Sequence, residues 1–430
     1  MNGTNKLQSN LFETRSQVII LGAGYRGRAY AAYADAHPDR LRVVGVADPV
    51  QAETIRAPQY WTDWRDCLKA RPEADWVVIA LPDALHREAA LAALEAGYHL
   101  LLEKPIAVTE AGCREVIAKA LAVKRLVLVG HVLRYTPTFA HIKAILDSGE
   151  LGTPVSITHQ ESVGYRKMAH SYCRGEWADA QAACPVILAK CSHDFDLFAW
   201  WLGRRCTKVS SFGSLMHFRR KNQPVGAGNR CVACPKAIAR HCIWNAVALY
   251  MEQEDLRYLF ADPSLEHMEQ LVRDSRYGRC VFACDNDVPD HQSVMMEFDG
   301  GATVTHTMAG FTAETQRVTR ISCTGGELIY DGTTLTASRF DHHGLCTGIP
   351  AFCKIPNRSR HEGGDFNIVT EMLRLIQTAD DATRARVTAE ALQSHLIAFA
   401  AERSRRQGGE VIRIDAHLQM NGSSDCTVEP

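Results

Sequence analysis

The chain has 430 residues, 46% of them apolar and 23% charged, and a formal net charge of −1. That is enough apolar material for two full cores, and the near-neutral charge without a long Lys/Arg block excludes a general attraction to nucleic acid or an anionic membrane. No apolar run reaches the length of about 18 residues needed to span a bilayer, and the first residues lack the apolar core of a secretion signal. The 15 cysteines, odd in number and mostly scattered, read as reduced thiols and place the chain in the cytoplasm.

Residues 1–15 and 416–430 are polar and without sustained period, and are read as tails. Between them, 18–27 reads V-I-I-L-G-A-G-Y-R-G, a strand breaking into a glycine turn that opens a helix. In such a turn Gly22 makes the bend, Gly24 lets a pyrophosphate approach the backbone, Gly27 packs helix on strand, and Tyr25 and Arg26 sit in the same loop. The helix N-terminus presents N–H groups to the phosphates. A second strand, 41–47, ends in Asp48, an acceptor for the adenosine ribose hydroxyls, and no arginine follows it directly, which favours NAD over NADP. Further strands at 74–81 and 99–103 alternate with helices, and a helix at 110–124 and strand at 126–130 complete a doubly wound parallel sheet over 16–135. Ligands belong at the carboxyl ends of such strands, where Gly22, Asp48, Pro82 and Glu103-Lys104-Pro105 fall.

The combination G-A-G-Y-R-G, V-A-D-P, A-L-P-D-A-L-H and L-L-E-K-P resembles the glucose–fructose oxidoreductase, inositol dehydrogenase and rhizopine catabolism (Gfo/Idh/MocA) family of NAD(P)-dependent oxidoreductases, over about residues 17–415. The resemblance implies that Lys104 projects to the nicotinamide and substrate, that Glu103 and Pro105 shape the turn, and that Pro82 and His86 line the cofactor. A lysine partly desolvated at a strand end has its pKa lowered and can exchange a proton with a substrate hydroxyl.

From Tyr135 a helix is followed by alternating strands near 153–160, 208–215, 294–298 and 302–308, and strands that follow strands imply antiparallel pairing. The resemblance implies an α+β domain over 136–415 with a large, mainly antiparallel open sheet, whose exposed face makes a dimer contact in a homodimer or homotetramer. Amphipathic helices at 366–378 and 388–406 should cover the structure near the end of the chain. At 187–196, I-L-A-K-C-S-H-D-F-D, His193 matches a family histidine that works with the lysine on the hydroxyl proton. The family's aspartate four residues earlier is Ala189 here, so its role is absent, taken by Lys190, or supplied by another acid such as Asp194. Asp196 reads as a structural partner at the helix start.

The aperiodic stretch 164–181, rich in Tyr, Arg, His and Trp, suits a sugar, whose CH faces stack on rings while its hydroxyls take bonds from arginine. Tyr165, His170, Arg174 and Trp177 are its candidates, and the resemblance brings a loop carrying His361 and Asp365 toward the same pocket. Within a Cys-rich insertion at about 217–290, Cys231, Cys234, Cys242 and Cys280 have the spacing of a closed structural zinc site. His241 or Cys284 could replace one ligand, and an iron–sulfur cluster, a redox disulfide and plain buried thiols stand as alternatives. The insertion resembles a branch of the family carrying Y-G-R-C-V-x-x-C-D-N-D.

The expected activity is hydride transfer between NAD(P) and a secondary alcohol of a sugar, sugar derivative or polyol. The rivals are an NAD-dependent glycosidase working by transient oxidation and elimination, and a non-catalytic nucleotide-binding protein.

Overall fold

β-Branched and leucine-rich runs, each only long enough to cross a sheet once, form the first layer of the computed structural model. The structure describes residues 15–180, 183–252, 256–257, 260, 262–343, 346–349 and 362–415. Strands β1 (Ser16–Leu21), β2 (Leu41–Ala47), β3 (Tyr60–Trp61), β4 (Trp76–Ile79), β5 (His99–Leu102) and β6 (Val127–Val129) pair in parallel in the order β3-β2-β1-β4-β5-β6. Their residues are buried almost throughout, as a sheet covered on both faces requires. Helices α1 (Tyr25–Ala36), α2 (Trp64–Ala70), α3 (His86–Glu95) and α4 (Glu110–Ala122) make the crossovers. The strand order reverses between β1 and β4, and the crevice of such a sheet opens at that point, beyond the carboxyl ends.

After α5 (Pro137–Asp147) the pattern changes to alternating burial. Strands β7 (Pro154–Ser162), β8 (Cys206–Ser214), β9 (His291–Phe298), β10 (Thr303–Ala309), β11 (Gln316–Cys323), β12 (Gly326–Tyr330), β13 (Leu335–Phe340), β14 (Cys346–Ile349) and β15 (Ile412–Arg413) form one sheet in the order β14-β13-β12-β11-β7-β10-β9-β8-β15. The pairing is antiparallel except between β7 and β10, which run parallel. Helix α6 (Val186–Leu202) lies over its inner face, and Phe195, Phe198 and Trp201 enter the core with Val294, Met296 and Met308. The insertion carries α7 (Leu265–Asp274) and a small core of its own around Tyr250, Met268 and Val272.

The end of the chain returns to the first domain. Helix α8 (Gly364–Thr378) buries Ile368, Val369, Met372 and Leu373 in the same cluster as Tyr30, Trp76 and Leu101. After α9 (Asp381–Glu390), helix α10 (Leu392–Arg406) puts Leu392 and Leu396 into the cluster on the opposite face, with Leu100 and Val129, and Ile397 and Ala401 into the core of the second domain. A linear division at residue 135 therefore misses part of the first domain's covering.

Candidate functional site

At the end of β1 the chain turns at Gly22 with φ +94°, where an added Cβ would stand 2.3 Å from the Ala80 carbonyl oxygen. A Cβ on Gly27 would stand 1.9 Å from the Gly22 oxygen, so helix and turn are in backbone contact there. Gly24 differs: its Cβ direction meets no atom within 4 Å, and it precedes α1 without a side-chain cap. Open space before uncapped helical N–H groups is what a pyrophosphate requires. The Asp48 carboxylate accepts from Ala23 N at 2.8 Å and from Val50 N and Gln51 N at 2.9 Å, tying the glycine turn to the end of β2. Arg28, which sequence reasoning missed, spans the same loop to the Ala23 carbonyl and to Gln51.

Arg26 and Glu103 turn inward. The Arg26 guanidinium lies 2.5 Å from Glu103 and 2.8 Å from Asp365, and the Tyr30 hydroxyl donates to Glu103 at 2.6 Å. Burial alone would raise the Glu103 pKa, but the guanidinium and the phenol outweigh it and hold the carboxyl below its ordinary value. Glu103 and Asp365 thus brace the glycine turn against the E-K-P bend, and Asp365 is a partner of Arg26 where a substrate contact is expected. His361 lies outside the described residues. His86 is also corrected: it is buried, with ring nitrogens 2.6 Å from the Pro105 oxygen and 2.8 Å from the Leu81 oxygen. Both nitrogens serve the frame of the bend, and neither faces the crevice. Pro82, exposed at the carboxyl end of β4, leads into the Asp83–Leu85 turn.

Beyond β5, Lys104 precedes a cis peptide to Pro105, and its Nζ donates to the Ala189 carbonyl on α6 at 2.7 Å. A main-chain oxygen thus takes the place of the aspartate expected at 189. The Trp177 ring lies 5.9 Å from the same ammonium, and its Nε1 donates to Asp83 at 2.9 Å. His193, one turn along α6 from Ala189, has its Nδ1 buried without a partner. Burial first, and then the Lys104 charge, push its pKa well below 6.5, so the ring is neutral near pH 7. His131 stands edge-on to it at 5.8 Å, and its Nδ1 is 3.1 Å from Asp196, which also takes a fork from Arg134 at 2.5 and 2.6 Å. The carboxyl end of β5 and the start of α6 thereby bring Lys104, Trp177, Asp83 and His193 to one place.

Several expected site residues belong elsewhere. Lys190 points to the second sheet, 2.7 Å from the buried Glu161, which Arg317 approaches at 2.9 Å. Asp194 does not replace the missing aspartate either: it is fully buried, 2.5 Å from Arg317 and 3.3 Å from His159. His159, Asp194 and His306 bring three ligand atoms within 4.8 Å of one another, but Arg317 already compensates the carboxylate. His170 bonds the Tyr250 hydroxyl, stacks on Tyr277 at 5.0 Å, and has its pKa pushed by burial down to about 3, so it is an interior ring. Arg174 is buried against the Arg279 and Trp244 carbonyls. Tyr165 opens the segment, its hydroxyl accepting from Arg166 at 2.9 Å. Of the four aromatic-loop candidates, Trp177 reaches Lys104.

Cys231, Cys234, Cys242 and Cys280 line one cavity with Ile238 and Phe282, and Cys284 is outside that lining. Among the described residues no three cysteine sulfurs come within 4.8 Å of one another. A tetrahedral zinc site holds its sulfurs about 3.8 Å apart. The geometry therefore does not support the expected structural zinc.

Fold and crevice define a two-domain protein of the dinucleotide-binding class, with an open-sheet second domain closing over the carboxyl ends of the first. Residues 16–131 match the family model described as "Oxidoreductase family, NAD-binding Rossmann fold", and residues 143–325 match the same family's C-terminal alpha/beta domain. The chain belongs to the Gfo/Idh/MocA oxidoreductase family. It is 31% identical over 202 residues to an inositol 2-dehydrogenase of Streptomyces avermitilis, covering 45% of this chain and 55% of that one. An inositol 2-dehydrogenase of Pseudomonas fluorescens is 32% identical over 149 residues, 33% of this chain and 44% of its own. The chain thus spans about half the length of these curated relatives. Among solved structures, an NAD binding oxidoreductase from Klebsiella pneumoniae superposes with a TM-score of 0.66 at 19% identity, over 94% of this chain and 99% of its own. A levoglucosan dehydrogenase in complex with NADH and levoglucosan gives 0.68 at 16%, over 94% and 100%. At such identities the structures show a shared fold. No helix among the described residues is long and apolar enough to cross a membrane.

Proposed function

We propose that the chain is an NAD-dependent dehydrogenase acting on a secondary alcohol of a cyclic polyol or sugar. The observation that carries this reading is the meeting of Lys104, from the E-K-P bend, with the neutral His193 on α6, across the crevice from an open glycine turn. The residues present fit the dinucleotide: space at Gly24, uncapped amides of α1, and a fixed carboxylate at Asp48. When bound, the nicotinamide supplies the acceptor for a hydride from the alcohol carbon. His193, neutral and with Nδ1 unpartnered, accepts the hydroxyl proton, and the Lys104 ammonium stabilises charge developing on that oxygen. Trp177, anchored by Asp83, offers a ring face for the CH side of the substrate. The names inositol 2-dehydrogenase and levoglucosan dehydrogenase among the relatives favour a ring bearing adjacent hydroxyls. Asp48 favours NAD, and Arg28 is the cation a 2′-phosphate would have to recruit.

The test is a panel of inositols, anhydrosugars, sugars and glycosides with NAD and NADP, followed by absorbance of the reduced nicotinamide. Lys104→Met should lower kcat by about 100-fold or more while NAD still binds. Normal turnover by that variant would remove the assignment. Aglycone release without net reduced nicotinamide would instead place the protein with redox-neutral glycosidases.

We also infer self-association through the outer face of the second sheet, where Phe212 and Met295 are 63% and 61% exposed and Val318 lies on the same side. Light scattering should give twice the chain mass or more, and Phe212→Asp with Met295→Asp should give single chains.

A further inference from the structure

Beside the cysteines of the insertion lies a buried positive charge, Arg174, with no carboxylate partner among the described residues. Arg174 is 2% exposed; its guanidinium donates to the carbonyl oxygens of Arg279 and Trp244, at 2.7 and 2.6 Å, and its Nη2 lies 3.7 Å from the Cys231 sulfur, with the Tyr250 phenol also beside it. Its Nη1 is buried with no partner. A guanidinium stays charged at any pH the protein meets, and a buried charge without a counterion costs several kcal/mol. Neutral carbonyls and thiols do not repay that cost. An anionic centre built from the adjacent sulfurs does.

The sulfurs are arranged to make one. Cys231, Cys234, Cys242 and Cys280 line a single small cavity open to solvent, together with the apolar Ile238, Ala239 and Phe282. Ala246 N–H points to the Cys231 sulfur at 3.3 Å and Gln223 Nε2 to the Cys280 sulfur at 3.8 Å, so two of the sulfurs already have outside donors. Cys284 instead donates to the Cys280 carbonyl at 3.3 Å and does not face the cavity. The separation decides between metals. With no three of these sulfurs within 4.8 Å of one another, the set is wider than one tetrahedral ion holds. Four thiolates on the corners of a cubane stand roughly 6 Å apart, because each binds a different iron.

We propose that Cys231, Cys234, Cys242 and Cys280 hold a 4Fe–4S cluster, with Arg174 as its buried counter-charge. Its place in the fold is structural. The insertion has a small core around Tyr250, and Arg174 ends the turn Met168–Arg174 that leads directly into Trp177, so the cluster would fasten the insertion to the segment that reaches Lys104. The assignment rests on the insertion's own geometry and is independent of the dehydrogenase reading.

The experiment is preparation of the full chain under anaerobic conditions, followed by iron, zinc and acid-labile sulfide analysis and electron paramagnetic resonance after reduction with dithionite. About four iron and four sulfide per chain, with the signal of a reduced cubane, are expected. Cys234→Ser and Cys242→Ser should each lose most of the iron, and Cys284→Ser should keep it. One zinc per chain without sulfide, neither metal in anaerobic protein, or full iron in both Cys234→Ser and Cys242→Ser would overturn the proposal. Because metal content is measured first on the unaltered chain, a variant that fails to fold does not decide the outcome.

Discussion

Gly22 and Gly24 lie two residues apart in one turn and are glycines for different reasons. At Gly22 the backbone is left-handed and an added methyl would collide with the Ala80 carbonyl, so Gly22→Ala should destabilise the fold by about 1–3 kcal/mol or more. At Gly24, φ is −64° and the space is open, so Gly24→Ala should leave the urea midpoint nearly unchanged and weaken NAD binding by about tenfold or more, measured by calorimetry. Equal losses of stability in both variants would contradict the assignment of that space to the pyrophosphate. This part of the site was legible because its signal is local: strand, glycines, helix and a following acid. His170 and Arg174 were misread as sugar contacts because what buries them, Tyr250, Tyr277, Trp244 and Arg279, comes some 70 to 107 residues later in the chain. A polar aromatic stretch gives no sign of which distant segment will cover it.

Among the elements, the last helix does more than close the fold. His395 on α10 accepts from the Ile106 N–H at 2.9 Å through Nε2, which leaves the proton on Nδ1, 3.2 Å from the Ala391 carbonyl. Ile106 follows the E-K-P bend, so α10 holds the backbone that presents Lys104. His395→Phe should orphan that N–H at a cost of about 1–3 kcal/mol and lower kcat more than it raises KM, whereas His395→Gln, which restores an acceptor, should recover part of both. Apolar periodicity revealed this helix at 388–406 but ran it together with the end of α9, because the break at Ala391 keeps helical dihedrals and no glycine or proline marks it. Four strands of the second sheet, β7 to β10, were likewise legible from alternation, to within a few residues, whereas β11 to β15 were not read. The parallel β7–β10 pair was not, since two-residue alternation reports a buried face and says nothing about direction. The short β3 is below the length at which any period shows.

At the scale of the whole molecule, several interior histidines are neutral. Burial, with neighbouring cations adding to it, lowers the pKa of both His170 and His395 from 6.5 to about 3. The unfolded chain binds protons at these rings from about pH 6.5 downward while the folded chain does not until about pH 3, so their contribution is fully present above pH 6.5 and is lost as pH falls through that window. Each ring removes about 1.4 kcal/mol of stability per pH unit there. The urea midpoint should fall clearly between pH 7 and pH 5, and an unchanged midpoint would mean that these rings are charged or exposed. The route of the chain has a consequence for its birth. The sheet spelled by residues 16–129 takes part of its roof from Ile368 to Leu373 on one side and from Leu392 and Leu396 on the other. As the polypeptide leaves the ribosome, that earlier-made sheet must wait, with apolar flanks bare, for about 240 to 270 further residues, and so has reason to lean on chaperones until they arrive.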